Sequence, residues 1–223
     1  MTIADKIGQL RKKIPSNVKI VAVSKTRSVA EIMEAYNAGQ RIFGENKAQE
    51  LVSKQALLPA DVEWHFIGHL QTNKVKQILP FIGLIQSIDS LKLLRTVNKE
   101  AHLIHRSINC LLQFHIATEA TKFGLDLQEA ITLLQTMQIE KKENIKIKGL
   151  MGMATYTDDQ ELICREFQKL RSYFSLLKKD FFSKDEEFKE ISIGMSDDYL
   201  LAVCEGSTMV RVGTAIFGER NYK

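Results

Sequence analysis

The sequence predicts an α/β protein built as a single (β/α)8 TIM-type barrel with an extra N-terminal helix. Three observations carry this expectation. Eight short apolar runs alternate with longer amphipathic segments along the 223 residues. Only three prolines and 12 glycines interrupt the chain, and no Gly/Ser/Pro-rich linker divides it. The turn after the first run, Ser24-Lys25-Thr26-Arg27, contains no glycine. Alternating β and α elements call for a parallel sheet with helical crossovers. Eight units without a linker favour closure over an open doubly wound sheet, whose first turn would be Gly-rich. Residues 1–223 are read as one domain.

The elements follow in order. Ile3, Ile7, Leu10 and Ile14 are spaced for one face of an opening helix. Val18 to Ser24 reads as the first strand, and Val29, Ile32, Met33 and Tyr36 mark the helix after it, which Gly39 ends. Further strands are expected at Arg41–Gly44, Trp64–Ile67, Leu84–Ile88, Cys110–Phe114, Ile145–Met151, Ile191–Ile193 and Met209–Val212. Helices are expected at Leu127–Met137, from about Gln160 to Phe182, and from Asp197 to Cys204. The last helix of the barrel is missing or short.

Composition narrows the function classes. The 31 basic and 27 acidic residues are intermixed, with net charge +4, so no polybasic arm points to nucleic acid. Cys110, Cys164 and Cys204 are few, odd in number and widely spaced, as suits a reducing compartment. The N-terminus lacks the continuous apolar core of a signal peptide, and no stretch approaches a membrane helix. A cytoplasmic protein without nucleic-acid or membrane partners is expected. His65 and His69 lie in a strand-to-loop stretch and would not share a helix face, so no metal is expected. Asp197-Asp198 reads as serving a helix dipole. Lys141-Lys142 and Lys178-Lys179 read as solvated helix ends, and His102 and His105 have no visible partner.

In such a barrel the functional groups gather at the C-terminal ends of the strands. Those ends offer Lys25, Glu45, Asn46, His65, Gly68, Ser87, His115, Met151, Met153, Gly194, Met195, Ser196, Arg211, Gly213 and Thr214. Counting by twos from Val21 and Val23 places the Lys25 stem on one strand face. If that face is the lumen, desolvation favours the neutral amine that attacks an aldehyde. Otherwise Lys25 sits in solvent past the strand end. Ser196, before the candidate helix from Asp197, offers a hydroxyl at a helix start, and Gly213-Thr214 offers another hydroxyl and close backbone approach. These adjacent strand ends converge on the usual phosphate position of the fold. Arg211, two residues before Gly213, should share its face. Buried there, it contacts a ligand or pairs with a carboxylate such as Glu45.

Several segments closely resemble the pyridoxal phosphate homeostasis family. They are Ala22-Val23-Ser24-Lys25-Thr26, Phe43-Gly44-Glu45-Asn46, the run from Trp64 to Lys74, Gly149-Leu150-Met151, Ser192 to Asp198, and Gly206 to Gly218. The likeness extends from about Val18 to Arg220. It implies a barrel like the alanine racemase N-terminal domain, with pyridoxal 5′-phosphate (PLP) as a Schiff base on Lys25. It further implies Asn46 near the ring hydroxyl and Arg211 at the pyridine nitrogen. Ser196, Gly213 and Thr214, with Met195 backbone, would hold the phosphate. One departure is His115, where relatives usually carry asparagine.

The resemblance implies a cofactor carrier in vitamin B6 balance, with no catalytic residues and with PLP-dependent apo-enzymes as transient recipients. The alternative is a PLP-dependent amino-acid racemase or another fold-type III enzyme. Two-base racemisation needs a second proton donor, which in alanine racemases comes from a β-rich domain, and this sequence stops after the barrel. An arginine at the ring nitrogen would also weaken the ring as an electron sink. A monomeric carrier is therefore expected.

Overall fold

The computed structural model describes residues 1–118, 123–140 and 143–219. Eight strands close into one barrel in sequence order. They are β1 (Lys19–Val23), β2 (Ile42–Glu45), β3 (Glu63–Phe66), β4 (Leu84–Ile88), β5 (Ile108–Phe114), β6 (Ile145–Gly152), β7 (Glu190–Ser192) and β8 (Met209–Val212). Every neighbouring pair is parallel, and β1 against β8 closes the ring with Val21 opposite Arg211. The (β/α)8 expectation holds, with strand ends shifted by one or two residues.

Helices α1 (Ile3–Lys13), α2 (Val29–Asn37), α3 (Ala48–Gln55), α4 (Val75–Ile78) and α5 (Leu91–Leu103) surround the first half. Around the second half lie α6 (Leu127–Ile139), α7 (Gln160–Phe181), α8 (Tyr199–Cys204) and α9 (Thr214–Phe217). The extra helix α1 starts at a capping box in which Thr2 and Asp5 satisfy each other's backbone amides. Its Ile3, Ile7 and Leu10 are buried. The final helix is the single turn α9, as its weak sequence signal implied. Among the described residues no helix is long and apolar enough to cross a membrane.

Two apolar layers result. The larger one lies between the outward strand faces and the helices, and includes Ala22, Phe43, Val210 and Val212. The smaller one fills the lumen with Val21, Leu84, Leu111, Met151 and Met209. A bulge in β6 connects the two. Ile147 and Leu150 both belong to the outer core although they differ in parity, because the register against β5 slips past Lys148. That extra residue turns Met151 and Met153 inward. Gly149 makes the slip possible: its φ is +151°, and a Cβ there would lie 1.8 Å from the Glu190 carbonyl oxygen.

Lys178 and Lys179 lie in the last turn of α7 as expected, and the Lys178 ammonium also donates to the Asp185 carbonyl. Lys141-Lys142 lie outside the described residues. His105 ends the α5 region with φ +53°, its amide donating to the His102 carbonyl.

Candidate functional site at the C-terminal mouth of the barrel

A cavity of about 370 Å³ opens at the C-terminal strand ends. Its lining includes Lys25, Asn46, Met195, Ser196, Arg211, Gly213 and Thr214. The seven residues that the resemblance assigned to the cofactor thus meet in one place, whereas Glu45, His65, Ser87, His115, Met151 and Gly194 are not part of the lining. Lys25 follows β1 on the lumen side with Val21 and Val23, while Ser24 points outward. Lys25 thus lies past the strand end, half-buried in the cavity wall.

The turn carrying Lys25 is clamped on both flanks. The buried Lys54 ammonium on α3 donates to the Ser24 carbonyl at 2.7 Å, to Glu45 Oε1 at 2.8 Å and to Glu50 Oε1 at 2.7 Å. Ser24 Oγ donates to Glu45 Oε1 at 2.6 Å. On the other flank, the Thr26 amide donates to Glu50 Oε1 at 2.6 Å. Thr26 sits at φ +65°, a costly conformation for a β-branched residue that persists only when its surroundings impose it. Burial pushes the Glu45 carboxyl above the usual range, and the Lys54 charge opposes that shift.

This arrangement corrects the pairing of Arg211 with Glu45. Gly44 faces the lumen, where a Cβ would meet Val21 Cγ1 at 3.0 Å, so alternation turns Glu45 outward to α3. Among the described residues Arg211 forms no ion pair. Its Nη1 donates to the Ser192 carbonyl at 2.8 Å and to Ser192 Oγ at 2.6 Å, and its Nη2 donates to the Gly152 carbonyl at 2.8 Å. A guanidinium has five N–H donors, so Nε–H and one Nη2 hydrogen remain for a ligand. Burial pulls the Arg211 pKa down to about 10, with the Asp198 charge acting in the opposite direction.

Ser196 precedes α8 as expected, with the helix starting at Tyr199 rather than Asp197. Asp198 Oδ1 accepts from the Met195 amide, and the turn over residues 195–198 runs into the helix through the bond from the Tyr199 amide to the Met195 carbonyl. Asp198 is the N-cap of α8 without capping it through its side chain, and burial raises its pKa. Ser196 Oγ reaches across to β8, accepting from the Gly213 amide at 3.2 Å and the Ala215 amide at 3.3 Å. Two backbone donors and the hydroxyls of Ser196 and Thr214 thus lie at the edge of the cavity.

The opposite wall is Asn46 against Gly68. A Cβ on Gly68 would lie 2.4 Å from the Asn46 carbonyl oxygen, so only glycine lets β3 close on β2 here. At the rim, His69 stacks on Phe123 with centroids 4.6 Å apart, and its Nδ1 is 2.8 Å from Asp89 Oδ2. The fifth strand contributes Gln113 rather than His115, because β5 ends at Phe114 and Gln113 is the residue that lines the cavity. Ser87 is also not part of the lining. Val23, Ile67, His69, Phe123, Met153, Tyr156 and Asp197 complete it. Gln113 was legible from strand parity; Phe123 and Tyr156 sit on loops that give no such signal. Among the described residues no group of three or more His, Cys, Asp or Glu side chains is placed to hold a metal ion.

With a lysine after β1, an arginine on β8 and a hydroxyl–amide cup between β7 and β8, the barrel matches the family profile for the alanine racemase N-terminal domain. That profile covers residues 2–221. The chain is 37% identical over 237 residues to the pyridoxal phosphate homeostasis protein of Pasteurella multocida, covering all of this chain and 99% of that one. It therefore belongs to the pyridoxal phosphate homeostasis protein family. The PLP-bound structure of PipY from Synechococcus elongatus superposes with TM-score 0.87 at 35% identity, over 97% of this chain and all of that chain. Alanine racemase from E. faecalis shares the fold at TM-score 0.70 and 14% identity, over 98% of this chain and 58% of that one.

Proposed function

We propose that the cavity holds PLP, joined covalently to Lys25, and that the protein is an intracellular carrier in vitamin B6 homeostasis. One observation carries the reading: a primary amine, a donor-only cation and a hydroxyl–amide cup line the same cavity. These donors fit the group, whose aldehyde, pyridine nitrogen and phosphate each find a matching partner. When bound, PLP supplies a reactive aldehyde and an electron-withdrawing ring.

Each residue then has a task. Lys25 Nζ forms the covalent link, held in place by the clamp on Ser24 and Thr26. The remaining Arg211 N–H groups donate to the ring nitrogen, and Asn46 orients the ring hydroxyl. Ser196, Thr214 and the Gly213 amide bind the phosphate, with Met195 backbone beside them. Arg211, being donor-only and lacking a carboxylate partner, keeps the ring nitrogen unprotonated. That favours storage and delivery over racemase chemistry. Transient recipients would be PLP-dependent apo-enzymes, served by a monomer.

The test is direct. The purified protein incubated with PLP should gain a visible absorption band. Borohydride reduction followed by peptide mapping should place a pyridoxyl group on the peptide containing Lys25. A label confined to other lysines would overturn the assignment.

A further inference from the structure

Beside its apolar layer, the lumen beneath the cavity carries buried polar side chains, where such barrels usually stack branched apolar ones. Four side chains from four strands form a continuous chain there. Arg211 Nη1 on β8 lies 2.6 Å from Ser192 Oγ on β7. Ser192 Oγ lies 2.7 Å from Gln86 Oε1 on β4, and Gln86 Nε2 lies 2.9 Å from His65 Nδ1 on β3. His65 Nε2 then meets Glu63 Oε1 at 2.8 Å. His65, Gln86, Ser192 and Arg211 are all buried. Glu63 is half exposed at the N-terminal mouth, on the far side of the barrel from Lys25.

The bond directions run one way along the chain. Arginine only donates. Ser192 Oγ accepts from Arg211 and donates to Gln86 Oε1. The Gln86 amide must then present its NH₂ group to His65, and a 3.1 Å contact from Nε2 to Met209 Sδ fixes the same orientation. His65 Nδ1 is consequently the acceptor, and its single proton sits on Nε2, donated to Glu63. All dipoles point their negative ends toward Arg211, and a carboxylate terminates the line.

We propose that Glu63, His65, Gln86 and Ser192 are positioning residues for Arg211, a one-way hydrogen-bond chain that aims its free N–H groups at the ring nitrogen of the bound cofactor. The chain does what an adjacent carboxylate would do for a buried arginine, without placing a negative charge beside the ring. Lys19 and Lys148 also face Glu63 across the lower mouth, but each is paired, with Glu190 and Glu187 respectively. The inference rests on the assignment of Arg211 to the ring nitrogen.

The experiment compares PLP with 1-deazapyridoxal 5′-phosphate, which has a C–H in place of the ring nitrogen. Unaltered protein should prefer PLP by about ten-fold or more, the worth of one charge-assisted hydrogen bond. Gln86→Met and Ser192→Ala should lose most of that preference while binding the deaza compound about as before. A full preference retained in both variants overturns the chain's role. Equal binding of the two compounds by unaltered protein overturns the ring contact itself, and the positioning role with it. Should the variants fail to fold, ¹⁵N NMR of histidine-labelled, cofactor-free native protein decides. A bare Nδ1 and a protonated Nε2 on His65 are expected at neutral pH, and the opposite tautomer sinks the proposal.

Discussion

The Lys54 ammonium donates to the carbonyl oxygen of Ser24 at 2.7 Å, one residue before Lys25. It is the hub of a buried cluster that also takes in Glu45 and Glu50. Glu50 in turn accepts the amide of Thr26, the residue after Lys25. The β1–α2 turn is therefore braced from outside by α3, through charge, in addition to its own bond from the Arg27 amide to the Ser24 carbonyl.

Replacing Lys54 by methionine should expose this dependence. Removing one member of a buried pair typically costs about 3–5 kcal/mol, because the other charge is left unpaired. Urea unfolding should report a loss of that order, reduced if Glu45 takes up a proton. Adding Glu45→Leu should restore much of the stability. Cofactor loading should stay impaired in the double variant, since the Ser24 carbonyl then keeps only its turn bond from the Arg27 amide at 3.0 Å. Full loading by a stable double variant would show that the clamp is dispensable.

The phosphate cup makes a separate prediction. Ser196 Oγ accepts from the Gly213 and Ala215 amides, and Thr214 lines the same edge. Ser196→Ala with Thr214→Ala should weaken PLP far more than pyridoxal, which lacks the phosphate. Each charge-assisted bond lost is worth roughly ten-fold or more. Equal weakening of the two ligands, measured by fluorescence titration, would move the phosphate elsewhere.

Glu63 carries a pH signature. The hydrogen bond from His65 holds its carboxyl below the usual value of 4.5, against some desolvation. An acid whose folded pKa lies below its unfolded one adds stability above the unfolded value and loses it as pH falls through the folded one. Glu63→Gln keeps an acceptor oxygen and removes the charge. Its melting temperature should fall below that of the native protein at neutral pH, and the gap should close as the pH falls below 4.5 and through the lowered folded value. A gap independent of pH would mean that the charge contributes nothing.

The barrel was legible because strand–helix alternation and strand parity are local patterns. Val21, Val23 and Lys25 share a face in sequence and in the structure alike, and so do Met209, Arg211 and Gly213. What escaped reading depends on contacts between distant segments. Glu45 looked like a lumen group until Gly44 was seen to occupy that face. The β6 bulge shifts parity by one residue, which no periodicity over Ile145–Gly152 announces. Ser196 was legible as the residue before a helix, but the contact of its hydroxyl with the Gly213 and Ala215 amides joins segments far apart in the chain. The lumen chain drew on single polar residues of four strands, each unremarkable by itself.

The last prediction separates a carrier from an enzyme. Arg211 is buried, hydrogen-bonded to Ser192 and Gly152, and without a carboxylate partner among the described residues. A donor-only group at the ring nitrogen opposes protonation there, and an unprotonated ring stabilises negative charge on substrate carbon poorly. Loaded protein incubated with L-alanine in deuterated water should give little α-deuteration and essentially no D-alanine. Deuteration is the more sensitive readout, since it needs a single base, and Lys25 released from the cofactor supplies one. Arg211→Glu should raise exchange by favouring the protonated ring, provided a binding titration first shows that PLP is still held. Inversion by the unmodified protein at the roughly 1 to 10³ s⁻¹ typical of enzymes would make it a racemase and end the carrier reading.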